Sequence, residues 1–335
     1  MPTAPTTLAD STLADAVTKS MNTAGAVIGF LAVLAALFAV AGRARGRWSR
    51  RTALAVFLVP ALALLTVGLL IPAVRTIYLS LHGADGTRSV GMRNYVWAFT
   101  NDAIRQVLLN TVVWIVVAPI AATALGLGLA VLVDRMRHEA LYKALIFLPM
   151  AVSFVGASII WKFVYEYRAP GEHQIGLLSQ VFMTLGWKNP PNWLLSHPLN
   201  NFLLMVILVW VQTGFAMVVL SAAIKAVPTD IVEAAKLDGA RGVRVFVFVT
   251  LPMIRNTMIV VLTTIMITTL KVFDIVRTMT GGNFGTQVLA NEMYSQSFVQ
   301  FNTGRGSALA VILFLAVLPL VGYNIVRLRK ERVAR

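Results

Sequence analysis

Seven mostly apolar stretches, most of them near the roughly 20 residues needed to cross a bilayer as a helix, dominate the chain: Thr23–Ala41, Ala53–Ile71, Leu108–Val133, Ala144–Tyr165, Phe202–Ile224, Met258–Lys271 with a polar continuation, and Leu309–Val326. In lipid each segment must satisfy its own backbone polar groups, so stretches of this length can only be helices. The expected fold class is an all-α, polytopic membrane protein with about seven transmembrane helices. Composition agrees. Of 335 residues, 58% are hydrophobic and 13% charged, where soluble domains carry about 25% charged residues; the mean hydropathy is +0.76. Cys is absent, which excludes disulfides, thiolate metal sites and cysteine nucleophiles.

The formal net charge of +15 reads as a topology signal and an attraction to anionic membrane lipid, because the cations cluster beside apolar runs. No nucleic-acid-binding module accompanies them. The densest cluster is Arg43, Arg45, Arg47, Arg50 and Arg51. Placing it inside puts 134–143, 225–257 and the C-terminal tail inside as well. These four segments carry 5, 3, 5 and 5 Lys and Arg, against 11 on the other side over about twice the length. The positive-inside rule then predicts the N-terminus outside and the C-terminus inside. Residues 1–22 are Thr/Ala-rich with Lys19 as their single cation and lack the positive start of a secretory signal, so Thr23–Ala41 is expected to be a retained helix. In the long outer segment, "IGLLSQVFMTLGW" (Ile175–Trp187) reads as a short amphipathic helix, either at the membrane interface or packed as an ordinary loop helix.

The segment "EAAKLDGARGVRVFVFVTLPMI" (Glu233–Ile254) falls in the predicted cytoplasmic loop 225–257. Pro228 suits a first helical turn, and Asp230 and Glu233 lie where the helix dipole favours anions. Ile231, Ala234, Ala235 and Leu237 make a small apolar face. Gly239 can take positive φ and end the helix. A second short helix is expected from about Arg241, with Pro252 near the start of the next span. By physics alone this is either a rigid docking knob held at both ends by membrane helices or a solvated connector.

The spacing Glu233-Ala234-Ala235, three residues, Gly239, nine residues, Val249-Thr250-Leu251-Pro252 resembles the EAA motif of ABC importer permeases, with Val249 in place of Ile. Asp238-Gly239-Ala240, "AVPTDIVEAA", "LKVFDIVRTMTGGNFGTQVLANEMY" (Leu270–Tyr294) and "NYVWAFT" followed by "LLNTVVW" (Asn94–Trp114) are similar to its carbohydrate-uptake branch, closest to maltose-type and α-glucoside permeases. The likeness covers about residues 53–330. It implies a type I ABC importer permease fold over 53–335, with 1–52 as an N-terminal tail plus an extra peripheral helix. It also implies that the loop 225–257 holds a coupling helix seated in a cytoplasmic ATPase. There Glu233 would contact the ATPase, Gly239 would make the bend, and Ala234, Ala235 and Leu237 would pack in the cleft. Asp238, Ala240, Leu251 and Pro252 complete the pattern. The implied partners are a second homologous permease, two ATPase subunits and an extracytoplasmic sugar-binding protein, in a bacterial cytoplasmic membrane.

The sequence contains no Gly-Lys pair and hence no P-loop, so ATP and Mg²⁺ are expected to be used by the partner ATPase, with no cofactor on this chain. Neither a zinc-protease nor a serine-hydrolase motif is present, and His82, His138, His173 and His197 are scattered, which predicts no metal and no enzyme activity. Spans almost free of ionisable groups argue against a proton- or sodium-coupled carrier. A neutral sugar needs hydroxyl partners and aromatic faces. The candidates are Trp210, Gln212, Thr213 and Phe215 on the fifth span. On the sixth, Thr264, Thr268 and Lys271 form one helical stripe, with Asp274 close enough to Lys271 to pair. Each also has a plainer role: Thr bonding its own helix, Gln212 joining helices, the charged pair fixing packing. Phe273-Asp274 and Thr280-Gly281-Gly282 resemble family stretches near the outer end of the pathway. The alternatives are a permease for another solute, such as glycerol phosphate, an ion-coupled carrier, or a scaffold.

Overall fold

The computed structural model describes residues 49–169, 171–187 and 189–333, with isolated positions between 18 and 39. The expected span Thr23–Ala41 and the N-terminal tail lie largely outside the described residues. Backbone packing divides the chain into Met1–Arg75 and Thr76–Arg335. In the first unit the described structure is helical: α1 (Ser49–Leu65) runs through a π-helical turn, Thr66–Leu70, into α2 (Ile71–Ser80). Phe57–Ser80 is long and apolar enough to cross a membrane.

The second unit continues with α3 (Arg93–Thr100), α4 (Asp102–Val133), α5 (Glu139–Phe147), α6 (Phe154–Val164), α7 (Leu177–Thr184), α8 (Leu199–Lys225) and α9 (Thr229–Leu237). After these come α10 (Val243–Leu270), α11 (Asp274–Met279), α12 (Leu289–Tyr294) and α13 (Thr303–Val333). Among the described residues there is no strand beyond one isolated bridge, His82 to Ser89. Among the described residues five helices are long and apolar enough to span a bilayer, or six if α5 and α6 count as one.

The α5–α6 pair corrects the expectation of a single span over Ala144–Tyr165. The two helices meet at 100°. Pro149 removes a backbone donor and crowds the preceding turn, leaving a 3₁₀ turn at Leu148–Ala151. Ser153 then starts a new helix by accepting the Gly156 amide on its hydroxyl, as an N-cap does.

The centre of this unit is the long contact of α4 with α8, joined by α10. Ala122, Gly126 and Ala130 recur every four residues on α4 and are buried against Ala216, Met217 and Leu220. A Cβ on Gly126 would stand 2.5 Å from that of Ala216, so the backbones approach as only small residues allow. Without a hydrophobic drive between helices in lipid, such close packing supplies much of the association. Gly214 of α8 is equally tight: a Cβ there would meet the Ile146 carbonyl at 2.5 Å, which presses the end of α5 onto α8.

The outer connections are pinned by side-chain amides and hydroxyls. Asn110 of α4 donates to the carbonyls of Gly285 and Gln287 at 2.7 and 2.9 Å, and Thr111 accepts the Leu289 amide. Asn200 of α8 donates to the Phe284 carbonyl at 2.9 Å. Helix α7 forms within the expected stretch Ile175–Trp187. Its inner face places Phe182 against Trp187 and Trp193, and Ser179 accepts the Trp193 indole N–H. Its other face exposes Leu177, Val181 and Leu185, an apolar side suited to a membrane interface.

Candidate coupling site and translocation path

Helix α9 buries none of its nine residues. Pro228 is its N-cap, not its first helical residue, and Asp230 lies in the first turn. At the other end the Gly239 amide donates to Lys236 O at 3.1 Å and the Ala240 amide to Ala235 O at 3.0 Å, a Schellman ending. Gly239 stands at φ +90° and Gly242 at φ +53°. Glu233, Ala234, Asp238 and Gly239 are exposed, while Ala235 and Ala240 are half-buried. Leu237 is 89% exposed and Ile231 44%. Helix α9 is thus capped at its end and carries an exposed apolar side.

The chain beyond the glycines differs from the expected separate helix. From Val243 it runs without interruption into the span, through a π-helical turn at Phe246–Thr250. The Leu251 amide reaches back to Phe246 O. This one-residue widening lets Pro252, which has no N–H, stand in the second position of the α-helix that follows. Leu251 is half-buried and Pro252 exposed. Helix α9 therefore connects through two glycines to a continuous rod that reaches Leu270.

At Gly239 an added Cβ meets nothing within 4 Å, so a side chain there suffers only from the backbone angle. A β-branched residue at positive φ costs about 1–2 kcal/mol. Gly239→Val is expected to lower substrate uptake by about five- to thirtyfold. The thermal midpoint of the purified chain should change little, because α9 contributes nothing to the core.

A charge cluster joins α4, α5 and α8, and its cations enter the sequence reading only as topology signals. Lys143 of α5 reaches Asp134 at the end of α4 at 2.7 Å and Glu139 at 2.6 Å. Glu139 also pairs with Lys225, the last residue of α8. Ser221 donates to Asp134 at 2.6 Å. Lys143 and Asp134 are 19% and 13% exposed. The Glu139/Lys143 spacing of four was the one legible signal. The cluster ties α4, α5 and α8 together three residues before Pro228, where the docking loop begins.

The candidates for the solute path do not converge. Trp210 and Thr213 line an apolar crevice of about 540 Å³ between α4, α5, α6 and α8, together with Trp161 and Pro149. Trp161 meets Trp210 edge-on at 5.8 Å. Phe215 packs instead into the α4–α8–α10 core, and Gln212 is buried. Thr213, Thr264 and Thr268 each donate to their own helix, to Val209 O, Val260 O and Thr264 O. The expected Lys271–Asp274 pair is not formed: among the described residues no ion pair joins them. Helix α10 ends at Leu270 and Asp274 opens α11, so the two side chains are not on one helix. Phe273 stacks on Tyr294 at 5.0 Å, and Arg277 lies over the same ring. Tyr165, just beyond α6, donates its hydroxyl to Leu203 O at 2.9 Å, and burial pushes its phenol above the ordinary range.

The described residues thus form a helical membrane unit with a broken span and an exposed, glycine-ended helix between two spans. The chain belongs to the family described as binding-protein-dependent transport system inner membrane component, which matches residues 122–335. It is 48% identical over 280 residues to the osmoprotective compounds uptake permease protein GgtC of Synechocystis sp., covering 84% of this chain and all of that one. It is 47% identical over 277 residues to the alpha-glucoside transport system permease protein AglF of Rhizobium meliloti, covering 82% of each. A bacterial ABC transporter involved in import of the acidic polysaccharide alginate has the same fold, with a TM-score of 0.71 at 18% identity over 84% of this chain and 97% of that one. The chain is thus an inner-membrane permease subunit of an ABC importer with the type I fold, a transport subunit and not an enzyme.

Proposed function

We propose that this subunit carries a neutral sugar, an α-glucoside or similar small oligosaccharide, delivered from outside by a binding protein and driven by ATPase subunits docked at α9. The observation that carries the coupling role is the exposed apolar side of α9, with Leu237 at its tip. The solute class is supported by the relative that transports alpha-glucosides and by spans with few charges. A second, homologous permease faces this one, and two ATPase subunits bind ATP and Mg²⁺ in trans. The N-terminus lies outside and the C-terminus inside, as the distribution of Lys and Arg favours. Glu233, Ala234, Ala235, Leu237, Asp238, Gly239 and Ala240 meet the ATPase, with Leu251 and Pro252 fixing the rod above it. Closure of the ATPases on ATP draws the two docking helices together and opens the outer side.

The complete complex, reconstituted in proteoliposomes, is expected to hydrolyse ATP faster when the sugar-loaded binding protein is added, and to accumulate the sugar. Uptake by this chain without ATPase subunits, following an ion gradient, would replace the reading with that of a secondary carrier.

A further inference from the structure

A cavity of about 300 Å³ lies where the end of α6, the long connection 166–198 and the turn 279–284 meet. Lys162, Glu166, Tyr167, Asn192 and Phe284 line it. No hydrogen bond or ion pair within the described protein engages the polar side-chain ends of Lys162, Glu166, Tyr167 or Asn192, although Lys162 and Glu166 are only four residues apart. The contrast with the amides around them is sharp: Asn110, Asn200 and Asn201 are all engaged in holding the scaffold. Phe284 adds a second, independent sign. It is a non-glycine residue at φ +57°, a conformation that aromatic residues adopt only when the surroundings enforce it. The enforcement is visible in Asn200 gripping its carbonyl and in the Thr280–Thr286 hydroxyl contact at 2.6 Å that closes the turn. The strained turn holds an exposed ring at the edge of a cavity lined by free donors and acceptors.

We propose that this cavity is an outer subsite for a neutral glycoside, distinct from the apolar crevice around Trp210. The inference rests on the sugar reading above. A carboxylate, an ammonium, an amide and a phenol offer both donors and acceptors to vicinal hydroxyls, as ligand sites do with a few convergent polar groups. Phe284 offers an apolar face to the C–H side of a ring. Lys162 and Glu166 leave the lining without net charge, as suits an uncharged solute. The volume suits roughly one to two sugar rings. Both loops belong to the side assigned to the outside, so a sugar leaving its binding protein meets this subsite before the membrane interior.

The test uses the absence of Cys from the chain. Asn192→Cys in the assembled complex is labelled with a membrane-impermeant maleimide, with and without saturating maltose or trehalose. Thr87→Cys, on an exposed turn, serves as the reference. The expected result is labelling at position 192 slowed at least about threefold by sugar, with no change at position 87. In parallel, Glu166→Gln and Phe284→Leu are expected to raise the half-saturating sugar concentration for uptake by about tenfold. If the wild-type complex accumulates one of these sugars and labelling at 192 ignores it, the subsite is wrong and the transport role stands. If the wild-type complex accumulates no neutral glycoside, the sugar reading falls and takes the subsite with it.

Discussion

Glu233→Lys is expected to abolish uptake and to release the ATPase subunits during purification, while the chain itself folds and inserts normally. The two halves of this outcome follow from one observation. Glu233 is exposed on α9, and no ion pair within the described residues uses its charge. Substitutions at such positions change a protein's own stability by about 0.5 kcal/mol or less. An interface that buries the carboxylate responds differently. Losing a hydrogen-bonded charge at an interface costs about 2–5 kcal/mol, and placing a like charge there adds repulsion. At 1.4 kcal/mol per tenfold, the affinity falls by about a hundredfold or more. Pull-down of the ATPase with the solubilised variant, set beside its circular dichroism, separates lost docking from lost folding. A variant that still brings down the ATPase and still transports would show that α9 is only a connector.

The second large effect is expected at Lys143, one turn into α5. Lys143→Met leaves Asp134 and Glu139, both half-buried, without their shared cation. The charge left on Asp134 then has no compensation. The thermal midpoint of the purified permease should fall by about 2–5 °C. Glu139 keeps Lys225, so the severe damage falls on Asp134. Adding Asp134→Asn to Lys143→Met should recover a large part of the loss. Without that recovery, Lys143 would act through its packing alone. Because the cluster fastens α8 at its last residue, Lys225, three residues before Pro228, uptake should fall with the midpoint and return with it.

How far the sequence carries can be judged residue by residue. The short helix α9 was legible because its signals are local: Asp230 in the first turn and Gly239 where the backbone must turn left-handed. The broken span was written just as locally, in Leu148-Pro149 and in Ser153 ahead of an apolar run. A count of apolar residues averages over such punctuation, and Ala144–Tyr165 therefore read as one helix. Pro252 stands where it was expected, in the first turn of the α-helix Leu251–Leu270; the π turn ahead of it, which joins that helix to Val243 in one rod, was not legible. The Lys271–Asp274 pair failed because a spacing of three joins side chains only on an unbroken helix. The Asp134–Lys143–Lys225 cluster joins three helices, and the amides that grip 284–289 come from residues 84 or more positions away. No local periodicity reports partners at that distance. The solute path was the least legible part: threonines on spans are written the same way whether they face a solute or, like Thr213, donate to their own helix.

The most direct measurement places one cysteine at Leu237, at the tip of the docking helix, in a chain that has none. In membranes holding the complete complex, a short bifunctional reagent should join Leu237→Cys to an ATPase subunit. In intact cells the same thiol should resist a membrane-impermeant maleimide. Labelling from outside, or a transport-competent complex in which the thiol never reaches an ATPase subunit, would contradict the claim that α9 is where ATP hydrolysis grips the membrane domain.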